Sequence, residues 1–391
     1  MNFDFDTVID RKGTNSVKFD FAAQNGMPED VLPMWVADMD FKTSPAIIEK
    51  MHEKVEYGIF GYSEGKEDYF RALSSWYRNH FGWEVKKEWL VKTPGVVFAV
   101  AMAIRAFSHE GDGILIQPPV YYPFKNMIEK NKRTLVNNPL KLVNGHYEVD
   151  FEDFEKKIKD KENKVKIFIL CNPHNPGGRV WKEWELQKMG EICMQNHVLV
   201  ISDEIHSDFI WEENKHTVFA SLSPEFADNS ITCTSPSKTF NLAGLQISNI
   251  FIPNQKLKRA LREEKLATGY EEPSVMGLVA CQAAYEGGEE WLRAVKEYIW
   301  NNFLFLNEYI ETNIPQIHVM KPEGTYLVWL DFRELGLSEE QKQECIINKA
   351  HLWFDTGSMF GKEGEGFERI NIACPRKTLK EALTRLKEAL S

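Results

Sequence analysis

The sequence predicts an α/β protein, built from a doubly wound, mostly parallel sheet and a smaller α+β domain that follows it. Short apolar runs recur through the middle of the chain, and amphipathic segments of helical length lie between them. Because these runs do not alternate between apolar and polar residues, they are typical of strands that helices cover on both faces. In such a sheet, ligands bind at the carboxyl ends of the strands.

Several of these runs are predicted to be strands of the sheet, since each is short and nearly continuous in apolar character. They are Gly113–Gln117, Val165–Cys171, Val198–Ser202, Ile231–Thr234 and Ile247–Ile252. Between them, the spacing of apolar residues predicts the helices Val96–Phe107 and Trp184–Gln195.

The last hundred or so residues have a different pattern, which predicts the smaller domain. A long amphipathic helix, Glu289–Thr312, leads to an alternating strand, Gly324–Asp331. A short strand, Arg369–Ile372, precedes a closing helix, Leu379–Leu390. We therefore expect three parts: an N-terminal arm with part of the small domain at residues 1–45, a large domain at 46–285 and a small domain at 286–391.

Composition excludes several classes of function. The formal net charge of −11 argues against a general nucleic-acid binder, because phosphate binding needs a basic field. No run approaches the roughly 18–20 apolar residues of a membrane span, so no membrane partner is expected. The first twenty residues lack the basic and then apolar layout of a signal peptide, which predicts a cytoplasmic protein.

The six cysteines are scattered, with no CxxC pair and no histidine at metal-ligand spacing. Most of them lie in apolar runs, where a free cysteine behaves as a small buried hydrophobic residue. We therefore expect reduced structural thiols and no metal site.

The residue that carries most chemistry is Lys238, in the segment SPSKTFN that directly follows the strand ending at Thr234. A lysine at a strand's carboxyl end can form an imine with an aldehyde cofactor, provided that desolvation or nearby positive charge lowers its pKa. Ser235 and Ser237 can donate hydroxyl hydrogen bonds to a phosphate. Taken alone, the segment fits a solvated surface lysine beside a turn better.

Other features favour the catalytic interpretation. Asp203 comes directly after the predicted strand Val198–Ser202, where a carboxylate can pair with a pyridine nitrogen. Asn175 lies in the loop NPHNPGG, which also follows a strand, and its amide can bind a phenolic oxygen. Residues 93–97, TPGVV, open the apolar helix Val96–Phe107, and the free N–H groups of Gly95, Val96 and Val97 suit a phosphate. Together these groups match pyridoxal 5′-phosphate (PLP).

Over almost its whole length the sequence resembles the fold-type I PLP-dependent enzymes, the class I/II aminotransferase superfamily. The resemblance implies a large domain with a mostly parallel seven-stranded sheet. It also implies that Lys238 holds PLP as a Schiff base, that Asp203 pairs with the pyridinium nitrogen and that Asn175 binds the cofactor and the substrate.

The resemblance implies roles for three further residues. Tyr121, in PPVYYP, matches the aromatic residue that stacks on the cofactor ring, and it is a candidate catalytic residue. Tyr62, in FGYSEG, matches a tyrosine that reaches the phosphate and substrate of the neighbouring subunit, which implies a homodimer with shared active sites. Arg369, in RINIACP, matches the arginine that binds the substrate α-carboxylate through its guanidinium fork. Taken alone, the tyrosines fit core or interface positions, and the arginine fits a surface ion pair.

Departures from the commonest pattern indicate the subfamily. His206 replaces a tyrosine that binds the cofactor's phenolic oxygen in many relatives, and Gln246 replaces a phosphate-binding arginine. With the arm motif WVADMDF at residues 35–41, these segments resemble the MalY/PatB subfamily, the cystathionine β-lyase or carbon–sulfur lyase branch. The resemblance implies β-elimination on sulfur-containing L-amino acids, with cystathionine giving homocysteine, pyruvate and ammonia.

Two alternatives stay open. Transamination uses the same scaffold, cofactor and lysine, and differs only in where the carbanion is reprotonated. Some members of the subfamily also bind a transcription factor as regulatory proteins, and nothing in the sequence locates such a surface. The proton donor to the leaving sulfur is not identified either; Tyr121, Tyr62 and Lys238 are candidates by position.

Overall fold

A computed structural model describes residues 3–391 of the chain. Its helices are α1 (Pro45–Tyr57), α2 (Glu67–Phe81), α3 (Val96–Phe107), α4 (Pro123–Lys130), α5 (Phe151–Lys159), α6 (Glu183–Gln195), α7 (Pro224–Asp228), α8 (Pro236–Thr239), α9 (Gln255–Ala267), α10 (Val275–Gly287), α11 (Glu289–Asn313), α12 (Glu339–Gln343) and α13 (Arg376–Ala389). Its strands are β1 (Leu32–Pro33), β2 (Leu90–Thr93), β3 (Gly113–Ile116), β4 (Thr134–Asn137), β5 (Lys141–Val143), β6 (His146–Glu148), β7 (Val165–Cys171), β8 (Leu199–Asp203), β9 (Ser230–Thr234), β10 (Ser248–Phe251), β11 (His318–Met320), β12 (Leu327–Asp331), β13 (Leu352–Trp353), β14 (Asp355–Thr356) and β15 (Phe367–Asn371).

The main sheet has seven strands in the order β2-β10-β9-β8-β7-β3-β4, which confirms the predicted fold class. Pairing is parallel except around β10, which runs antiparallel to both of its neighbours. Residues 235–247, which join β9 to β10, contain only one short α-helix and one 3₁₀ turn. The connection therefore contains no helix long enough for a crossover, and the chain turns back at the same edge of the sheet.

Helices cover both faces of this sheet, which explains the continuous apolar strands. In β7, the side chains of Ile167 and Ile169 belong to the same buried cluster as Val100 of α3. The intervening Phe168 belongs to a second cluster, on the other face, together with Leu186 of α6. Because both faces are buried from Ile167 to Cys171, every position of that part of the strand takes an apolar residue.

A second sheet lies in the C-terminal part, with four antiparallel strands in the order β11-β12-β15-β14. The predicted strand Gly324–Asp331 begins three residues later than expected, at Leu327. Thr325 has φ +68°, which interrupts the extended backbone, and Gly324 instead forms an isolated bridge with Ile210. The arm joins this part through parallel pairing of β1 with β13. The three-part division at residues 45 and 285 stays a prediction.

The six cysteines are all buried and free. Between residues 3 and 391, no helix is long and apolar enough to cross a membrane. In the same part of the chain, no group of three or more His, Cys, Asp or Glu side chains is arranged to hold a metal ion.

Candidate active site

A cavity of ≈ 180 Å³ opens at the carboxyl ends of β7, β8 and β9. The register aligns these ends, because Cys171 pairs with Asp203, and Asp203 pairs with Cys233. Most of the predicted site residues line this cavity. The lining consists of Ala37, Pro94, Gly95, Val96, Val97, Tyr121, Cys171, Asn175, Asp203, Ile205, His206, Ser237, Lys238 and Ala243.

Lys238 lies on α8, the short helix that directly follows β9. Its Nζ donates a hydrogen bond to the backbone oxygen of Ala37 at 2.7 Å. Burial, and then the positive charge of Arg369, lower the pKa of Lys238 to about 8, while Asp38 and Asp203 act in the opposite direction. A substantial fraction of the amine is therefore neutral near physiological pH, which is the form that attacks an aldehyde.

Asp203 ends β8 and is 5% exposed. Its Oδ1 accepts a hydrogen bond from the N–H of Ile205 at 3.1 Å, and no cationic side chain within residues 3–391 lies within 4.0 Å of its carboxylate. Burial raises the pKa of Asp203 to about 7. When it is ionised, a buried carboxylate with so little compensation is stabilised by a cationic partner inside the cavity.

Arg369 lies on β15 of the second sheet; it is not part of the cavity lining, but it contacts that lining through Asn175. Its Nη1 donates to Asn175 Oδ1 at 2.8 Å and its Nη2 to the backbone oxygen of Trp35 at 3.2 Å. The guanidinium also forms an ion pair with the buried Asp355. Because Oδ1 of Asn175 accepts from Arg369, the amide Nδ2 of Asn175 is left as the donor toward other groups.

The start of α3 forms the anion-binding wall of the cavity. Gly95 is the N-cap residue, and no side chain caps the helix. The first N–H groups of a helix have no intrahelical partner, and the helix dipole places positive potential there. Gly95, Val96 and Val97 all line the cavity, so their backbone can receive a phosphate as the sequence predicts.

His206 and Tyr121 line the cavity between these groups. The ring of His206 is buried, and its Nδ1 has no hydrogen-bond partner among the described residues. Burial, and then the charge of Lys238, hold the pKa of His206 well below its ordinary value, so the imidazole is neutral. The N–H of Tyr121 donates to the backbone oxygen of Asn175 at 3.0 Å, which ties the aromatic residue to the 172–178 loop.

Ser235 and Ser237 occupy different positions, although both were predicted as phosphate donors. Ser237 lines the cavity, whereas the hydroxyl of Ser235 donates to the backbone oxygen of Ile247 at 2.7 Å. Ser235 Oγ also caps α8 by accepting from the N–H of Ser237 at 3.1 Å. With its only proton engaged by Ile247, Ser235 supports the lysine helix, and its direct contact with a phosphate stays a prediction.

Tyr62 lies outside the cavity of its own chain. It is 95% exposed, in the stretch between α1 and α2 that has no helix or strand. The structure of a single chain therefore does not bring it to Lys238, and its predicted contact across a subunit boundary stays a prediction.

Two contacts at the site could not be predicted from the sequence. The backbone oxygen of Ala37 accepts from Lys238 and also from the hydroxyl of Tyr326, at 3.0 Å. A backbone acceptor is independent of residue type, so only the presence of the motif at residues 35–41 pointed to this segment. Asp355, the ion-pair partner of Arg369, follows an ordinary apolar run and has no recognisable motif.

The residues present fit PLP. The unpaired Asp203 carboxylate matches the ring nitrogen, the uncapped start of α3 matches the phosphate, and Lys238 matches the aldehyde. The unpartnered Nδ1 of His206 and the free amide donor of Asn175 add polar contacts for the ring substituents. Each polar group of the cofactor thus has a complementary group at the cavity wall.

Comparison with known proteins agrees with this geometry. The family described as "Aminotransferase class I and II" matches residues 29–386. The chain is 45% identical to the cystathionine beta-lyase PatB of Bacillus subtilis (strain 168), over 99% of this chain and 100% of PatB. It is 34% identical to the protein MalY of Escherichia coli (strain K12), over 99% of each chain. The PLP-bound C–S lyase from Staphylococcus hominis superposes with a TM-score of 0.93 at 37% identity, covering 100% of this chain and 98% of that one.

These matches extend over the whole of both sheets and include every residue of the cavity. The resemblance predicted from the lysine, arm and histidine motifs is confirmed. The chain therefore belongs to the aminotransferase class I and II family, in the branch that contains PatB and MalY.

Proposed function

We propose that this chain catalyses PLP-dependent β-elimination on sulfur-containing L-amino acids. With cystathionine as substrate, one water is consumed and the products are homocysteine, pyruvate and ammonia. The observation that supports the proposal is the cavity: a lysine with a lowered pKa and a buried carboxylate without a cationic partner line it, and an arginine is hydrogen-bonded to Asn175 of the same lining. They do so in a chain that matches a cystathionine beta-lyase over its full length.

Six groups of the chain would hold the cofactor. Lys238 would bind its aldehyde carbon, Asp203 would pair with the ring nitrogen, and the N–H groups at the start of α3 would bind its phosphate. Tyr121 would pack against its ring, and Asn175 and His206 would provide polar contacts. When bound, PLP supplies an electron sink for the pair released at the substrate Cα.

The chain's own groups perform the remaining work. Arg369 binds the substrate α-carboxylate through its guanidinium fork, and this orients the Cα–H bond toward the lysine. The neutral amine of Lys238 removes the Cα proton, since its pKa of about 8 leaves enough neutral amine near pH 7. The thiolate then leaves from Cβ, and Lys238, which carries the abstracted proton as an ammonium, and Tyr121 are the candidate proton donors in the cavity lining.

The reaction class can be tested directly. Purified protein is incubated with cystathionine, and pyruvate and free thiol are measured over time, with Lys238→Ala as the matched control. We expect equal molar amounts of pyruvate and thiol from the unchanged protein and none from the variant. Stoichiometric formation of pyridoxamine phosphate, with turnover only when a 2-oxo acid is added, would replace elimination by transamination.

We further propose that the functional unit is a homodimer. The stretch from the end of α1 to residue 62 exposes a row of large apolar side chains, which a monomer in water would leave uncovered. They are Val55 (54% exposed), Tyr57 (65%), Ile59 (61%), Phe60 (56%) and Tyr62 (95%). A contiguous apolar row of this kind is typical of a protein–protein interface. A second copy of the chain would bury the row and place Tyr62 at a neighbouring cavity.

The cytoplasmic location and the regulatory partner remain predictions. If the chain also binds a transcription factor, that interaction should survive Lys238→Ala, because it needs no covalent chemistry. Co-purification of partners with the variant and with the unchanged protein would distinguish the two roles.

A further inference from the structure

The backbone oxygen of Ala37 is the only acceptor that the structure places on the amine of Lys238 within residues 3–391. It receives Lys238 Nζ at 2.7 Å and the hydroxyl of Tyr326 at 3.0 Å. A carbonyl oxygen has two lone pairs, so both donors can be accommodated at once. The position of this one carbonyl therefore decides where the amine rests when it is not covalently linked.

The segment around Ala37 has no helix or strand to hold it, because β1 ends at Pro33. It is held instead by Asn371, the last residue of β15. The Nδ2 group of Asn371 donates to the backbone oxygens of Val36 and Asp38, both at 2.6 Å, and thus binds the residues on either side of Ala37. Asn371 is 1% exposed, and its own N–H donates to the backbone oxygen of Met34 at 2.8 Å.

The arm is also bound on its other side by the lysine loop. Asn241, three residues after Lys238, accepts from the N–H of Met39 at 3.0 Å and donates to the backbone oxygens of Met39 and Phe41 at 2.9 and 3.0 Å. The arm is thus fixed between the second sheet and the loop that carries the lysine. Displacing either anchor would move the Ala37 carbonyl relative to Nζ.

We propose that Asn371 is a positioning residue, which holds the Ala37 carbonyl as the acceptor on which the free amine of Lys238 docks. The significance of this contact rests on the proposed covalent role of Lys238. An acceptor on the ammonium favours the charged form and opposes the effect of burial. The arm therefore sets the fraction of neutral amine that is available for attack, and it keeps that amine at the cavity wall.

Several other charged or titratable groups face the amine, and Asp38 is the one among them that belongs to the segment held by Asn371. They are Arg369 of β15, Asp38 of the arm, Asp203 of β8, His206 of the following loop and Tyr326 before β12. A variant at Asn371 thus changes the hydrogen bond from Nζ to Ala37 and the distance to Asp38, and the loss of either contact lowers the pKa of Lys238.

The test measures how fast the full-length chain, after removal of cofactor, captures PLP in a borohydride-reducible link at a series of pH values. Only the neutral amine attacks, so the midpoint of the rise in rate reports the pKa of Lys238. We expect a midpoint near pH 8 for the unchanged chain. For Asn371→Ala we expect a midpoint lower by about one unit, since a hydrogen bond to a charged group is lost.

Asn302→Ala is the matched control. Asn302 is equally buried, and its Nδ2 also binds two backbone oxygens, those of Ile372 and Cys374, at 2.9 and 2.8 Å. It should leave the midpoint unchanged, because it does not contact the arm. Equal midpoints for Asn371→Ala and Asn302→Ala, in folded protein, would overturn the proposal.

A second variant covers the case in which Asn371→Ala does not fold. Tyr326→Phe removes the second donor on the Ala37 carbonyl. An oxygen that accepts one hydrogen bond is a stronger acceptor than one that accepts two, so the midpoint should rise; an unchanged or lower midpoint would count against the docking role. Lys238→Ala supplies the background rate and separates the two ideas. If Lys238→Ala still captures PLP, the proposed covalent role of the lysine is refuted. If Lys238→Ala does not capture PLP but Asn371→Ala keeps the midpoint of the unchanged chain, only the positioning role is refuted.

Discussion

Asp203→Asn should stabilise the cofactor-free chain while weakening its binding of PLP. The carboxyl of Asp203 is buried with one backbone hydrogen bond, and burial raises its pKa from 3.8 to about 7. The unfolded chain therefore loses this proton near pH 4 and the folded chain near pH 7. Between these values the folded state binds more protons, so stability is present at low pH and falls as the pH rises.

The magnitude follows from the width of that pH range. The pKa of Asp203 is raised by about three units, and each unit corresponds to 1.36 kcal/mol of folding free energy. The folded state therefore loses about 4 kcal/mol of stability in total by the time the pH exceeds 7. An asparagine keeps the acceptor for Ile205 without the charge. We therefore expect Asp203→Asn to raise the free energy of unfolding at pH 8 by up to about 4 kcal/mol, and at pH 5 by roughly 2.7 kcal/mol less.

Urea unfolding of the cofactor-free chain at pH 5 and pH 8, followed by circular dichroism, measures this difference. Asp150→Asn is a control of opposite sign: Asp150 caps α5, its pKa is lowered by its contact with Lys141, and the variant should lose stability at pH 8. In the same preparations, Asp203→Asn should bind PLP more weakly. The reasoning would be refuted if Asp203→Asn were less stable than the unchanged chain at pH 8. It would also be refuted if the variant raised the free energy of unfolding equally at pH 5 and pH 8.

Three further predictions concern the proposed reaction. Arg369→Lys should raise KM for the amino-acid substrate by roughly 10–100-fold and change kcat less, because one ammonium cannot replace the fork that holds Asn175 and the substrate carboxylate. An unchanged KM in steady-state kinetics would argue against carboxylate binding by Arg369. Tyr62→Ala and Lys238→Ala, each inactive alone, should regain activity when mixed and refolded together, and a mixture without activity would contradict shared sites. Tyr121→Phe should retain PLP binding in an absorbance titration, since the ring is kept, whereas loss of binding would assign the cofactor contact to the hydroxyl.

The sequence determined those features that depend on neighbours along the chain. The helix Val96–Phe107 and the strand Val165–Cys171 have the predicted bounds, because periodicity and continuous apolar character are local properties. Asp203, Asn175 and Lys238 were predicted to meet, and they line one cavity, because each follows a strand and the carboxyl ends of adjacent parallel strands share one edge. Their roles there remain proposals.

Tertiary structure decided the contacts between segments far apart in the chain. Arg369 meets Asn175 across 194 positions, and Asp355 forms an ion pair with that arginine, yet no spacing in the sequence indicates either contact. The reversed direction of β10 depends on how little regular structure follows Lys238. The dock for the lysine is a backbone carbonyl, whose acceptor strength is the same in every residue. Local pattern thus located the chemical groups, whereas long-range packing set the charges and hydrogen bonds that give them their proton affinities.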